Sequence, residues 1–139
     1  MSLYILDTDI ITLLRFGHPA VSQRVARHSA GDLAITIITV EEQLTGWYTQ
    51  LRRAKNAKSL ARAYQHLTDQ VKFIAQLSII SFTEPAILRY EHLKSQKLKV
   101  GKKDLAIAAI VLEIRAVLVS RNSGDFKRVP NLQVQDWSI

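Results

Sequence analysis

Leu3-Tyr4-Ile5-Leu6-Asp7-Thr8-Asp9-Ile10-Ile11 is the stretch on which the reading of this chain turns. Four residues without charge, short and apolar, end abruptly in an acid. That pattern is a buried strand delivering a carboxylate to the edge of a core. The next residues place apolar side chains at 10, 11, 13, 14 and 16, which predicts a short helix over 9–16, stopped by Gly17 and Pro19. An acid set between two apolar stretches is expensive to leave without a partner. Asp7 is therefore the first candidate functional residue.

The same alternation continues outward. A second short helix is predicted over 20–28 and a strand over the β-branched run 33–38. Helices follow at 39–51 and 54–77, the second with a basic face, and together they predict a helical hairpin. Strand 78–82, helix 84–96, a basic turn at 97–103 and the apolar helix 104–115 come next. Strand 116–120, a loop over 121–131 and a last strand near 132–134 close the pattern. Strands alternating with helices imply right-handed crossovers and a mostly parallel sheet of about five strands, covered on both faces. Ligands of such sheets sit beyond the carboxyl ends of the strands. Asp7, Asp9, Glu41, Glu42 and Asp125 fall there, and Asp104 opens the helix that leads into the fourth strand.

Several carboxylates in one cleft repel one another. Two unit charges about 4 Å apart cost roughly 4 kcal/mol at an effective dielectric near 20. Protonation is one escape and a hard divalent cation is the other. Oxygen donors select Mg²⁺ or Mn²⁺. The chain has no cysteine, and none of its four histidines is spaced as a ligand to another, which argues against zinc. The charge of the whole chain is +7. Setting Asp7, Glu42, Asp104 and Asp125 aside leaves nineteen basic side chains against eight acidic ones. A basic body around an acidic cleft suits a polyanion held by its phosphates, although net charge alone also serves solubility.

Each acid has an ordinary structural reading beside the functional one. Asp9 is read as the N-cap of the first helix, with metal contact as a second role. Thr39 and Glu42 have the spacing of a capping box, and Glu41 competes with Glu42 as a ligand. Asp104 suits a helix start, where the dipole favours an acid, yet it runs at once into Leu105-Ala106-Ile107. Asp125, in Ser120-Arg121-Asn122-Ser123-Gly124-Asp125-Phe126, is an ordinary loop acid apart from its place after the fourth strand. Thr8 and Asn122 are candidates to orient these acids or a bound water. The basic residues form three groups. Of these, Lys102 and Lys103, and Arg121, Lys127 and Arg128, flank Asp104 and Asp125 and are the expected RNA contacts. The third group contains Arg52, Arg53, Lys55 and Lys58. Trp47 and Tyr64 read as packing residues.

With 139 residues, 47% of them hydrophobic, the chain is expected to form a single domain over 1–139. The first apolar run is too short for a signal-peptide core, and the longest uncharged apolar run, 105–112, is far below the roughly 20 residues that span a bilayer. A cytoplasmic protein is the expectation.

Four segments now resemble one family. Leu6-Asp7-Thr8-Asp9, Thr39 to Gly46, Gly101-Lys102-Lys103-Asp104-Leu105 and Ser120 to Phe126, together with the ending Val129 to Trp137, are similar to the PIN-domain ribonucleases. Among these they most resemble the VapC toxins of bacterial toxin–antitoxin pairs. The likeness runs through the chain in the family's order. It implies a three-layer α/β/α fold and Mg²⁺- or Mn²⁺-dependent endoribonuclease activity. It also implies homodimers and neutralisation by a small VapB-type antitoxin. Asp7, Glu42, Asp104 and Asp125 are implied as the acidic quartet, and Glu42 is favoured over Glu41 because it stands four residues before Gly46. Ser120 occupies a position where the family often carries Thr. Two other readings remain open. One is a non-catalytic RNA- or partner-binding module. The other is a haloacid-dehalogenase-type phosphatase, suggested by the Asp7-Thr8-Asp9 spacing, although Ile10-Ile11 replaces the usual Gly-Thr.

Overall fold

Residues alternate between two faces along every central strand, and this decides the architecture. In the computed structural model, which describes residues 2–139, the strands are β1 (Tyr4–Leu6), β2 (Leu33–Thr36), β3 (Ile79–Ile80), β4 (Val117–Val119) and β5 (Val134–Gln135). All pairings are parallel, in the order β3-β2-β1-β4-β5. Ile5, Ala34 and Leu118 face one apolar cluster, and their successors Leu6, Ile35 and Val119 face the other. That period of two forces helices onto both faces.

The first cluster is filled by α6 (Lys102–Glu113), with Ala86 and Leu93 of α5 (Glu84–Ser95). Residues 105–111 of α6 are all buried, as expected of a helix apolar on nearly every side. The second cluster takes Ile10 and Ile11 of α1 (Thr8–Arg15), Val21 of α2 (Pro19–Ala26) and Ile74 of α4 (Ala57–Ile74), with Trp137 near the chain end. The predicted α/β class, parallel five-stranded sheet and three layers are all present.

Several local expectations are corrected. The second strand ends at Thr36, and Thr36, not Thr39, caps α3 (Ile37–Arg53) by accepting the Thr39 amide at 3.2 Å. Thr39 and Glu42 therefore form no capping box. The strand stops at Thr36, the last β2 residue paired with β3, and its hydroxyl is then placed to cap the helix that follows. Likewise Asp7, not Asp9, is the N-cap of α1, accepting the Thr8 amide at 2.8 Å. The α3–α4 hairpin turns at Asn56, which exchanges hydrogen bonds with Ser59 in a reciprocal capping box. This cap starts the second hairpin helix three residues later than the periodicity suggests. The expected loop 121–131 contains a one-turn helix, α7 (Ser123–Phe126), anchored by the fully buried Phe126. Among the described residues, no helix is long and apolar enough to cross a membrane.

Sheet order places the functional question. From β1 the chain moves to β2 and β3 on one side, then returns to β4 on the other. The crevice between the carboxyl ends of β1 and β4 is the switch point, where ligands of open parallel sheets bind. Asp7 and Ser120 are the residues directly beyond those two ends.

Candidate active site

The Asp7 backbone amide donates to the Val119 carbonyl at 2.9 Å, extending the β1–β4 ladder by one bond. This fixes the Asp7 carboxylate at the switch point, where it is only 5% exposed. Its Oδ1 accepts from the Thr8 amide and its Oδ2 from the Ser120 hydroxyl, each at 2.8 Å. Ser120 is fully buried, and its Oγ accepts the Asn122 amide at 2.9 Å. Burial raises the Asp7 pKa from an ordinary 3.8 to about 7; the Ser120 hydrogen bond works against that rise, and the charge of Asp9 adds to it.

Asn122 joins two more of the predicted acids. Its side-chain amide donates to Asp104 Oδ2 at 3.2 Å and to Asp125 Oδ2 at 3.1 Å. Asp104 sits in the first turn of α6, and Asp125 in α7. Burial pushes the Asp104 carboxyl above its ordinary range, and the charges of Glu42 and Asp125 push it further. Glu42 comes from the second turn of α3. Freed from any cap, it accepts the Thr8 hydroxyl at 2.7 Å, and that hydroxyl lies 3.1 Å from the Thr39 hydroxyl. Glu41 points elsewhere, into an ion pair with Lys103 at 2.5 Å. The structure thus connects Asp7, Glu42, Asp104 and Asp125 through three residues, Thr8, Ser120 and Asn122, with the backbone amides of Thr8 and Asn122 completing the links that their side chains begin.

Asp9, expected as the N-cap of α1 with metal contact as a second role, holds a different position. As it does not cap α1, its carboxylate is left for the crevice. Its Oδ1 is buried without a hydrogen-bond partner, and burial raises its pKa. Its charge also reaches Asp7 and Asp104. The two-residue spacing from Asp7 was the available signal. The predicted basic contacts divide. Arg121 lies 3.9 Å from Asp9, and Arg128 lies 3.4 Å from Asp125 while also donating to the Lys99 carbonyl at 2.9 Å. Lys103 is held by Glu41, whereas Lys102 and Lys127 are exposed and have no ion pair among the described residues.

An all-oxygen donor set with an orphaned carboxylate oxygen and three acids pushed up by burial fits a hard divalent cation. The acids are spaced by hydrogen bonds instead of being drawn into a closed cage. Among the described residues, no three ligating side chains form a ready metal cluster. Asp7, Asp9, Glu42, Asp104 and Asp125 are the residues that could hold one.

The chain as a whole is similar to known proteins. Over 142 residues the chain is 32% identical to Ribonuclease VapC1 of Haemophilus influenzae strain R2866, covering 98% of each. The chain belongs to the VapC ribonuclease family. No protein-family model matches it. Among solved structures, VapBC2 from Rickettsia felis, bound to a DNA fragment from its promoter, aligns at TM-score 0.78 and 26% identity, over 97% of this chain and 98% of that one. VapBC-1 from nontypeable Haemophilus influenzae aligns at TM-score 0.70 and 28% identity, over 99% of both. The VapC fold and the carboxylate crevice at its switch point thus coincide in one chain, and the phosphatase suggested by the Asp7-Thr8-Asp9 spacing has no counterpart in these likenesses.

Proposed function

We propose that this VapC-family chain is a metal-dependent endoribonuclease, the toxin of a type II toxin–antitoxin pair. It hydrolyses RNA phosphodiester bonds at the Asp7, Glu42, Asp104 and Asp125 cleft and is neutralised by a small VapB-type antitoxin. The supporting observation is that Asp7, buried at the β1–β4 switch point, is joined through hydrogen bonds of Thr8, Ser120 and Asn122 to three acids from distant segments. Relatives named as ribonucleases, and solved VapBC assemblies, support the same reading. Mg²⁺ or Mn²⁺ is the cofactor proposed, the whole chain is taken as one domain, and the working form is a homodimer in the cytoplasm.

The chain's own groups have distinct tasks. Asp7, Glu42, Asp104 and Asp125 would hold the ion, with Asp9 a fifth oxygen donor. When bound, such an ion lowers the pKa of water and neutralises charge on the phosphate. Thr8 donates to Glu42 and turns its carboxylate toward the crevice. Asn122 fixes Asp104 and Asp125 relative to each other. Ser120 stabilises the ionised form of Asp7, the form that ligates. Lys102 and Lys127 are the free cations at the rim proposed to hold phosphates.

The test is cleavage of a mixed RNA pool by purified protein, with and without Mn²⁺ or Mg²⁺. Wild type should cleave with either ion and stop in EDTA, while Asp7→Asn should be folded and inert. Equal cleavage by the two proteins would overturn the catalytic assignment in favour of a binding module.

A further inference from the structure

A sizeable cavity lies away from the carboxylate crevice. It lies between the α3 and α4 helices of the hairpin, has a volume of about 520 Å³, and carries Trp47, Gln50, Arg53, Lys55, Arg62 and His66 on its walls. No acidic side chain lines it. Among the described residues none of Arg53, Lys55 and Arg62 takes part in an ion pair. Around the crevice, by comparison, Lys103, Arg121 and Arg128 already face carboxylates, and only Lys102 and Lys127 of the predicted contacts do not among the described residues. Three exposed cations left together at one concavity repel one another, and a bound anion relieves that repulsion.

The position of the cavity is set by α3. Glu42 and Arg53 stand on that one helix, 11 residues apart. At 100° per residue this is close to three whole turns, so both lie along the same line of the helix, about 16 Å apart along its axis. The Trp47 ring on the cavity wall is already occupied: His66 stacks on it at 5.1 Å and the Arg15 guanidinium lies 5.6 Å from its centroid. The cavity therefore presents cations and not an open platform for bases, and the chemistry it reads is phosphate.

We propose that the Arg53–Lys55–Arg62 cavity is a second contact for substrate RNA, gripping the phosphate backbone of a strand whose scissile bond lies in the Glu42 crevice. The inference rests on the ribonuclease reading and adds to it a subsite that recognises strand length, not sequence. RNA too short to leave the crevice gains nothing from it.

The experiment uses two single-stranded RNAs that share a cleavage site, one trimmed to the nucleotides around the scissile bond and one extended on both sides. Binding is measured with the full chain carrying Asp7→Asn, and cleavage with the otherwise native chain. Arg53→Ala with Arg62→Ala should raise Kd and KM for the extended RNA roughly tenfold and leave kcat unchanged. Each lost phosphate contact lowers the salt slope of log Kd by about 0.7 for a single strand, so the pair should lower it by about 1.4. The trimmed RNA should be unaffected, and Arg53→Lys with Arg62→Lys should restore most of the binding. Equal losses on both RNAs, or an unchanged salt slope, would overturn the proposal. So would polyglutamate binding that depends on Arg53 and Arg62 while RNA binding does not, because the cavity would then serve an acidic protein. Should wild type cleave neither RNA while the binding differences hold, the ribonuclease reading fails and the cavity stands; cleavage without those differences is the reverse.

Discussion

The Ser120 hydroxyl donates a 2.8 Å hydrogen bond to Asp7 across the β1–β4 switch point, 113 residues away in sequence. It is the only side-chain donor to Asp7 among the described residues, and it opposes the burial that raises the Asp7 pKa.

Removing that donor should make Asp7 still harder to ionise. A hydrogen bond to a charged group contributes about 1.5–3 kcal/mol. Ser120→Ala should therefore lower kcat/KM at neutral pH by roughly tenfold to a hundredfold. The acid limb of the pH–rate profile should move to higher pH, with activity partly recovered there. Ser120→Thr should behave like wild type. A uniform loss with no movement of the acid limb would mean that Ser120 serves packing alone.

The ion-free protein should become less stable as pH rises. Asp7 has its pKa raised from 3.8 to about 7 by burial, so the folded state binds the proton more tightly than the unfolded state. Stability is then fully present below about pH 4 and is lost as pH climbs toward 7. The whole loss is on the order of 4 kcal/mol, from about 1.4 kcal/mol per pH unit. Urea denaturation in EDTA between pH 4 and 8 should show this slope, and Asp7→Asn should flatten it. Added Mn²⁺ should restore stability most at the alkaline end.

Asn122→Ala breaks the shared amide bridge between Asp104 and Asp125. Groups that orient metal ligands typically change affinity 10–100-fold when lost. Titration calorimetry with Mn²⁺ should show weakening in that range, with a modest change in melting temperature. Unchanged Mn²⁺ affinity would mean that the bridge positions nothing that the ion uses.

Two threonines on one helix should separate stability from activity. Thr36 caps α3, so Thr36→Ala should cost about 1 kcal/mol of stability. Thr39 touches Thr8, which holds Glu42, so Thr39→Val should leave stability nearly unchanged and lower kcat several-fold. Matched denaturation and cleavage assays distinguish them, and the opposite pattern would restore the Thr39 cap.

Much of this protein was legible in its sequence because the periodicities of strands and helices are local. The Leu3–Leu6 run ending in Asp7, the apolar helix after Asp104 and the β/α alternation determined a parallel sheet with acids at its carboxyl edge. The lack of cysteine narrowed the possible ion. Family register favours Glu42 over Glu41; in the structure Glu42 meets Thr8, while Glu41 meets Lys103. What local pattern could not decide was which of two equivalent hydroxyls or carboxylates caps a helix. Thr36 and Thr39, or Asp7 and Asp9, present nearly the same short-range chemistry. The choice depends on where the strand stops, and that is set by pairing with segments far along the chain. The same holds for charge. Sequence counts lysines and arginines, but only tertiary contact shows that Arg121 and Arg128 face carboxylates while Arg53, Lys55 and Arg62 are left together without one.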